Sequence, residues 1–582
     1  MNVLIDKVKE TFKKITHKKA WDKFYKKNES NIEVPNLSAY EYLRECNKDN
    51  MDAIAINYFN KTMTFKYFFG EVNLCAKALR SQGIRPGDVV TVLMANTPEA
   101  VIAFYAINKI GAIANMVHPL SAEEEIKHSL NATKSVMLIA INVSCKKVMN
   151  IIEETDVYKT VVVSPGDSMP PLLKFGYYVT QGRKIEVPKK SEDFMFWNDF
   201  MSKGKHYTQK VLVKTTKDQA CAILHSGGTT GTPKNIVLTN GNFNALSKQG
   251  RIIFPKIESG DSMLTILPLF HCFGLCVCVH AVMCLNGGVT LIPQFDAKRF
   301  DKLFSKYKPT LVAGVPTLYE ALLTNKYMQH MDLSYVKYMI VGGDSLTEAK
   351  NNELNRFFDA HGVQSHVVQG YGMTETTGPT VAGVMGTNKP GAIGIPLPGN
   401  DLKIVSVETK EELPVGEVGE ILVSGPVVMP GYLDNEKETN DMLEKDEKGK
   451  VWVHTGDLGY VDEDGILYYV QRLKRMLIVS GYNVYPSHVE NVLMEHPAIL
   501  NCGVIGIPHP YKVQVPKAFI VLNEGYKADN TLKKEIKEYC EKNLAFYMIP
   551  KEFVFRESLP KTMIGKVNYR ELEKEEAENS KK

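Results

Sequence analysis

The stretch HSGGTTGTPKN, residues 225–235, is a run of glycines and threonines that ends in a lysine. Gly227, Gly228 and Gly231 permit close backbone approach, Ser226, Thr229 and Thr230 offer hydroxyl and N–H groups, and Lys234 supplies a cation. Such a loop suits phosphate; the competing reading is a flexible turn with a surface lysine. A Walker A loop fails by residue, because it needs Gly before its Lys and Ser or Thr after it, and Pro233 and Asn235 stand there. The flanks settle the local fold: ACAILH before the loop and NIVLTN after it both read as strands, whereas a Walker A loop leads into a helix. A nucleotide kinase or motor NTPase is thereby disfavoured.

Working outward, β-rich runs alternate with helical ones between roughly residues 50 and 340, as in DVVTVLMAN before TPEAVIAFYAINKIGA and PTLVAGVP before TLYEALLTNKY. Alternation of this kind predicts an α/β fold with mostly parallel, helix-covered sheets. After Gly391 the texture changes to short strands with Gly, Pro and Asn turns, which predicts a small antiparallel or β-barrel-like unit. From about Leu473 a further strand and helix set, including PSHVENVLMEHP and TLKKEIKEYCEKNL, reads as a compact C-terminal α+β domain.

A chain of 582 residues exceeds one core, so two or more domains are expected. With 44% hydrophobic and 23% charged residues the composition is that of a globular protein, and a net charge of +4 disfavours a dedicated nucleic-acid binder. Ten cysteines without a preceding signal segment predict a reduced, cytoplasmic setting. Three apolar or basic stretches each admit two readings. HCFGLCVCVH, residues 271–280, holds two His and three Cys; it is a metal site or a buried run, and its lack of separated ligand pairs favours burial. Residues 262–295 carry no Asp, Glu, Lys or Arg and are long enough to span a bilayer, but Pro268, Asn286-Gly287-Gly288 and Pro293 break them into strand, buried helix and strand. The first 27 residues hold nine Lys, with Ile5, Val8, Phe12 and Ile15 at helical spacing. They form a basic helix lying on an anionic membrane surface, or one packed on its own domain with a solvated lysine face; the second is favoured.

A second segment, VVQGYGMTETTGP, places Gly370-Tyr371-Gly372 after a strand but carries Glu375 where a dinucleotide fingerprint needs glycine. It offers a ring for a base, a hydroxyl at Thr374 and a carboxylate at Glu375 suited to Mg²⁺. Together with HTGDLGYVDEDGILYYVQRLKRMLIVSGYNVYP and SLPKTMIGKVNYREL, these segments resemble, in content and order, the adenylate-forming superfamily and within it the acyl-CoA synthetases. The resemblance runs from about Thr64 to Leu572.

What it implies is a set of roles. Ser226 to Lys234 would close over the β- and γ-phosphates of ATP; Gly342, Gly343, Asp344 and Gln369, Gly370, Tyr371, Gly372 would line the adenine pocket. Thr374 would touch the α-phosphate and the acyl carboxylate, Glu375 would bind Mg²⁺, Asp457 and Arg472 would hold the ribose, and His271 would stand beside the acyl carboxylate. Lys566 would be the adenylating lysine. Lys474 would be the hinge about which a mobile C-terminal domain rotates, exchanging Lys566 for a thioester-forming face that includes Ser480 and Gly481. The implied domains are a basic segment 1–27, an adenylate-forming domain 28–472, a hinge 473–475 and a C-terminal domain 476–582. Departures from the family pattern are Gln471 where Gly usually precedes the ribose arginine, Val513, and Asn235 after the loop lysine; they put loop geometry in doubt more than activity.

The implied reaction is activation of a carboxylic acid through acyl-AMP to a coenzyme A thioester. No Asp stands near PLFHCF to hold an amino group, and the apolar run after His271 favours a fatty acid. An aryl-acid or carrier-loading ligase is the alternative, and a membrane-spanning protein the non-enzymatic one. Contact with the inner face of a membrane through the N-terminal lysines remains open at this stage.

Overall fold

The computed structural model describes residues 19–26, 29–226, 234–344, 346–384, 386–479, 482–509, 513–562 and 566–579. Two large sheets form the N-terminal domain. The first has nine strands, in the order Ile395–Pro396, Gly378–Ala382, Val368–Met373, Tyr338–Gly342, Leu311–Gly314, Ser262–Thr265, Gly288–Leu291, Ile54–Tyr58 and Lys61–Thr64. The second has eight: Gly431–Tyr432, Lys234–Thr239, Ala220–Ser226, Ile113–Val117, Val89–Leu93, Ser135–Ile141, Lys159–Val163 and Phe194–Phe196. In each, parallel strands make the centre, as the alternating sequence texture predicts; antiparallel strands form both margins of the first sheet and one margin of the second, whose other edge, Phe194–Phe196, is parallel.

Between these sheets lies one continuous core to which both contribute. The helix Pro98–Lys109 runs through it with all of its residues buried. Its boundaries follow from sequence: Thr97 caps the start, Pro98 occupies the first turn, and Gly111 adopts a left-handed φ of +75° just past the end. The charge-free run 262–295 is also inside. It forms the strand Ser262–Thr265, a π-helix Phe273–Ala281, a short α-helical turn Val282–Cys284 and the strand Gly288–Leu291. Among the described residues no helix is long and apolar enough to cross a membrane, so the spanning alternative is withdrawn for this run.

The unit after Gly391 is antiparallel but not a closed barrel, which corrects the barrel-like expectation. Asp401–Val405, Gly419–Ser424 and Val451–Val461 pair in series, and Leu443–Lys445 and Leu467–Arg472 share the far side of Val451–Val461. Turn residues mark strand ends equally well in open and closed sheets; closure depends on pairing between distant strands, which they do not encode.

The turn Leu473–Arg475 leads into the small C-terminal domain, a five-stranded sheet centred on Val513–Leu522 with helices Pro486–Met494, Asn530–Asn543 and Tyr569–Asn579 and a core of its own. Residues 1–18 of the basic segment lie outside the described residues. Where the segment becomes described it packs on its own domain: Trp21 lies against Gly465, Lys19 pairs with Asp401 at 3.1 Å and Lys23 with Asp464.

Candidate active site

The phosphate-type loop sits as its flanks predict. Ala220–Ser226 and Lys234–Thr239 are adjacent antiparallel strands, and Ser226 lies opposite Lys234 in register, so residues 227–233 connect neighbouring strands. Gly227, Gly228, Thr229, Thr230 and Gly231 themselves lie outside the described residues. Lys234 is held at the rim: its Nζ is 2.8 Å from Glu438 and 4.8 Å from the centroid of the Tyr432 ring. Asn235, the residue after the loop lysine, faces His225, whose Nε2 is 2.7 Å from Asn115 Oδ1. Burial, more than any partner, pushes the His225 imidazole down to about 4.

Next to this rim stands the Gly-Tyr-Gly segment. The strand Val368–Met373 runs beside Tyr338–Gly342 and pairs Gly370 with Gly342, which brings together the two segments expected to line one pocket. Gly372 is required by contact, since a Cβ there would meet the Gly378 carbonyl at 1.9 Å. The chain then turns sharply through Thr374–Thr376, with Thr377 in the left-handed region at φ +60°, and this turn buries Thr374 and Glu375. Thr374 Oγ1 donates to Cys272 Sγ at 3.5 Å. Glu375 Oε1 accepts from Tyr432 at 2.9 Å, and Oε2 takes no hydrogen bond among the described residues. Among the described residues no three ligating side chains converge here; a divalent cation would fit as one bound by a carboxylate oxygen of Glu375, with phosphate and water completing its shell.

Asp457 closes the opposite wall. It lies on the long strand Val451–Val461, opposite Arg472 in register. Its Oδ2 accepts from the Tyr371 hydroxyl at 2.8 Å, while Arg472 Nε stands 3.0 Å from Oδ1. Among the described residues Oδ1, though buried, takes no hydrogen bond of good geometry, so its partner there is the Arg472 charge. Burial raises the Asp457 carboxyl, and the Arg472 charge opposes that shift.

His271 precedes the buried π-helix. Its Nδ1 accepts the Phe273 N–H at 3.2 Å, which leaves Nε2 as the protonated nitrogen of a neutral ring. Burial, reinforced by the Lys566 charge, holds its pKa at about 4. The His271 ring is therefore neutral at neutral pH, with Nδ1 occupied by the Phe273 N–H.

Lys566 comes from the other domain. Its backbone is pinned by the Thr562 hydroxyl, at 3.2 Å from Lys566 N, and by the bond from Thr562 N to Lys566 O at 2.7 Å. Its half-buried side chain reaches Gly343, where a Cβ would meet Lys566 Cε at 4.0 Å. Burial lowers its pKa, Asp344 and Asp457 pull it up, and Arg472 pushes it down. Asp344, Asp457, Arg472 and His271 thus lie near Lys566, and Thr374 and Glu375 lie near Cys272, which itself neighbours Lys566. Gln369 is paired with Val341 on the strands that pair Gly370 with Gly342.

Lys474 is elsewhere, on the turn Leu473–Arg475, in a groove with Pro486, Gly506 and Gln514. Ser480 and Gly481 lie outside the described residues. Gln471 is fully buried, and its Oε1 faces Ser487 Oγ at 3.4 Å, so the residue replacing glycine bridges the two domains. Sequence reasoning missed Tyr432, Glu438 and Cys272. The first two lie about two hundred residues beyond Lys234, and only the pairing of Gly431–Tyr432 with Lys234–Thr239 brings them to it.

The cysteine-rich run is not a ligand set. Cys276 and Cys278 are buried with thiols pushed up by burial, and His280 Nδ1 meets the Tyr105 hydroxyl at 3.0 Å. All ten cysteines are free thiols.

Comparison with known proteins agrees with this geometry. Residues 43–433 match the AMP-binding enzyme family and residues 488–566 the AMP-binding enzyme C-terminal domain. A long-chain-fatty-acid–CoA ligase of Bacillus subtilis (strain 168) is 33% identical over 551 residues, 94% of this chain and 96% of the relative. Among solved structures, the anthranilate CoA ligase AuaEII in complex with anthranoyl-AMP superimposes with a TM-score of 0.80 at 26% identity, covering 93% of this chain and 98% of that one. An ATP-bound MatB from Rhodopseudomonas palustris shares the fold, with a TM-score of 0.79 at 22% identity over 92% of this chain and 99% of that one. The chain belongs to the AMP-binding enzyme family.

Proposed function

We propose that this enzyme activates a fatty acid with ATP and transfers the acyl group to coenzyme A. The observation that carries the reading is the placement of Lys566, a cation of the C-terminal domain, beside Gly343, Asp344, Asp457 and His271 of the N-terminal domain. In the first step a carboxylate oxygen attacks the α-phosphorus of ATP, forming the acyl–phosphate bond as the bond to pyrophosphate breaks. Two anions must meet, and the Lys566 ammonium placed between them offsets their repulsion as charge builds up. His271 donates through Nε2 to the carboxylate, Thr374 positions the α-phosphate, Asp457 receives the ribose hydroxyls, and Tyr371 lies against the base. Glu375 would hold Mg²⁺, which neutralises phosphate charge when bound. Ser226, Lys234 and the loop between them cover the departing pyrophosphate.

In the second step the thiolate of coenzyme A attacks the acyl carbonyl and AMP leaves. We assign the hinge of this step to Lys474 in segment 473–475, and the thioester face to the region of Ser480 and Gly481, with domains 28–472 and 476–582 on either side.

A fatty acid is favoured by the Bacillus relative and by the buried apolar run that follows His271, with Leu275, Cys276, Cys278 and Val279. An aryl acid is the second reading, favoured by the likeness to the anthranilate ligase. Acid-dependent ATP–pyrophosphate exchange over alkyl and aryl acids, followed by thioester detection with coenzyme A, separates them. Exchange with long alkyl acids alone is expected; exchange with aryl acids alone would replace the substrate, and none with any acid would refute the reaction. Lys566→Ala is expected to lower the exchange rate by about 10²–10³ while leaving thioester formation from supplied acyl-AMP nearly unchanged. Equal loss of both steps would contradict its role.

A further inference from the structure

An apolar helix on the outside of the N-terminal domain has no use in the chemistry above. Pro171–Thr180, sequence PLLKFGYYVT, buries none of its residues. Leu172, Phe175 and Tyr178 are 82%, 67% and 62% exposed, and Leu173, Val179 and the following Val187 are exposed as well. At about 100° per residue, Leu172, Phe175, Tyr178 and Val179 share one face of the helix. Tyr177, on the opposite face, and Lys174 tie the helix down: the Tyr177 hydroxyl accepts from Asn142 Nδ2 at 3.2 Å with Gly166 and Gly182 against its ring, and Lys174 reaches Asp167. The amphipathic pattern is inverted, since a helix of a water-surrounded domain turns its apolar face inward.

The residues beside this face are basic. Lys174, Arg183, Lys184, Lys189 and Lys190 stand against a single acid, Glu186, within residues 171–190. Lys174 pairs with Asp167 at 3.7 Å and Lys190 with Asp199 at 2.8 Å, while Arg183, Lys184 and Lys189 make no ion pair among the described residues. Apolar side chains flanked by unpaired cations match the two layers of an anionic bilayer surface, acyl boundary below and phosphate headgroups above. A protein partner would need an apolar groove of negative rim; a lipid surface supplies both features without shape.

Position adds a reason. The helix follows the C-terminal end of Lys159–Val163, and the loop 227–233 follows the C-terminal end of Ala220–Ser226. These strands are parallel members of the second sheet, with Ile113–Val117, Val89–Leu93 and Ser135–Ile141 between them. Both segments therefore leave the sheet at the same edge, separated by four strand spacings of about 4.8 Å.

We infer that Pro171–Thr180 and the basic segment after it dock the enzyme on an anionic lipid surface, with the adenylating edge of the second sheet facing the same side. The inference rests on this helix and not on the choice of acid.

The test is sedimentation of the full chain with vesicles of phosphatidylcholine alone and of an equimolar mixture with phosphatidylglycerol. The wild type is expected to bind the mixed vesicles, and to bind them less at high salt. Replacing Leu172, Phe175 and Tyr178 together by Gln should weaken binding by at least about tenfold, with melting temperature and pyrophosphate exchange on a soluble acid unchanged. Arg183→Gln, Lys184→Gln and Lys189→Gln combined should abolish the preference for anionic lipid. A wild type that stays in the supernatant with both vesicles would overturn the inference, as would a glutamine variant that binds like wild type. Binding lost only on deletion of residues 1–18 would move the contact to the N-terminal segment. A wild-type dimer that the glutamine substitutions dissociate would show that the face is covered by a second copy.

Discussion

Two apolar helices in this molecule differ in what surrounds them. Phe273–Ala281 reads as apolar all round and is packed against the helix Asn240–Ile253, with Leu275, Cys276, Cys278 and Val279 fully buried. Pro171–Thr180 is similarly free of acids, yet its apolar face is outside and Tyr177 and Lys174 hold it to the domain. The first leads directly from His271, which stands one residue before its cap and beside Lys566. The second contributes nothing to the core. Hydropathy alone does not separate them: both are short runs of large apolar residues between turn signals.

The sharpest way to break this comparison is to place a charge in each. Cys278→Asp is expected to cost about 4 kcal/mol, because a carboxylate would be buried without a partner. Phe175→Asp should change stability by less than about 0.5 kcal/mol. Urea unfolding of the two variants measures the difference, and equal losses would mean that the outer helix is part of the core.

Gly274→Ala should cost about 3 kcal/mol, since its Cβ would meet the Pro268 carbonyl at 2.0 Å and the helix would have to shift. Because His271 leads directly into this helix, pyrophosphate exchange should fall in folded Gly274→Ala protein as well. A stable, fully active variant would show that the helix start is looser than its packing indicates.

The inner helix also carries a pH signature that the outer one lacks. Burial depresses His280 from 6.5 to about 3, so at pH 5 it stays neutral in the folded chain while the unfolded chain takes up a proton. Stability is full above about pH 6.5 and is lost progressively as pH falls toward 3; between pH 7 and 5 the loss for one such histidine is about 2 kcal/mol. His280→Phe should remove that share of the pH dependence of the unfolding midpoint, whatever its effect at pH 7. An unchanged slope would place the acid sensitivity in His225 or His271, both held near 4 by burial.

The smallest expected effect is on the turn between the domains. The buried Gln471 Nε2 has no hydrogen-bond partner, while Oε1 faces Ser487. Ser487→Ala should lower stability by about 1 kcal/mol and alter the ratio of the two half-reaction rates, because the serine lies on the C-terminal domain and the glutamine on the other. A changed melting temperature with an unchanged ratio would confine the contact to stability.

Much of the site was legible in the residues. The loop flanked by two strands, the Gly-Tyr-Gly turn and the acidic residue after it are local patterns, and local patterns survive folding: Ser226 does face Lys234, and Gly372 does sit where no side chain fits. The punctuation at Pro268 and residues 286–288 likewise marked a broken interior run where hydropathy alone would have supported a membrane span. Less legible were the groups that tune the site from a distance. Tyr432 on Glu375 and Glu438 on Lys234 come from segments with no motif, Cys272 lies in a run whose residues do not announce the contact with Thr374, and the open edge of the small antiparallel sheet likewise depends on distant pairing.

By itself the sequence determined the alternating α/β architecture, the phosphate-type loop and the identity of the charged groups, because strand and helix periodicity and turn chemistry are properties of neighbouring residues. Only the tertiary structure decided that Lys566 reaches across to His271 and Asp457, that Asp457 is buried beside Arg472, and that one apolar helix is core while the other is surface. Those outcomes depend on which distant surfaces exclude water from each other, and no single stretch of chain carries that information.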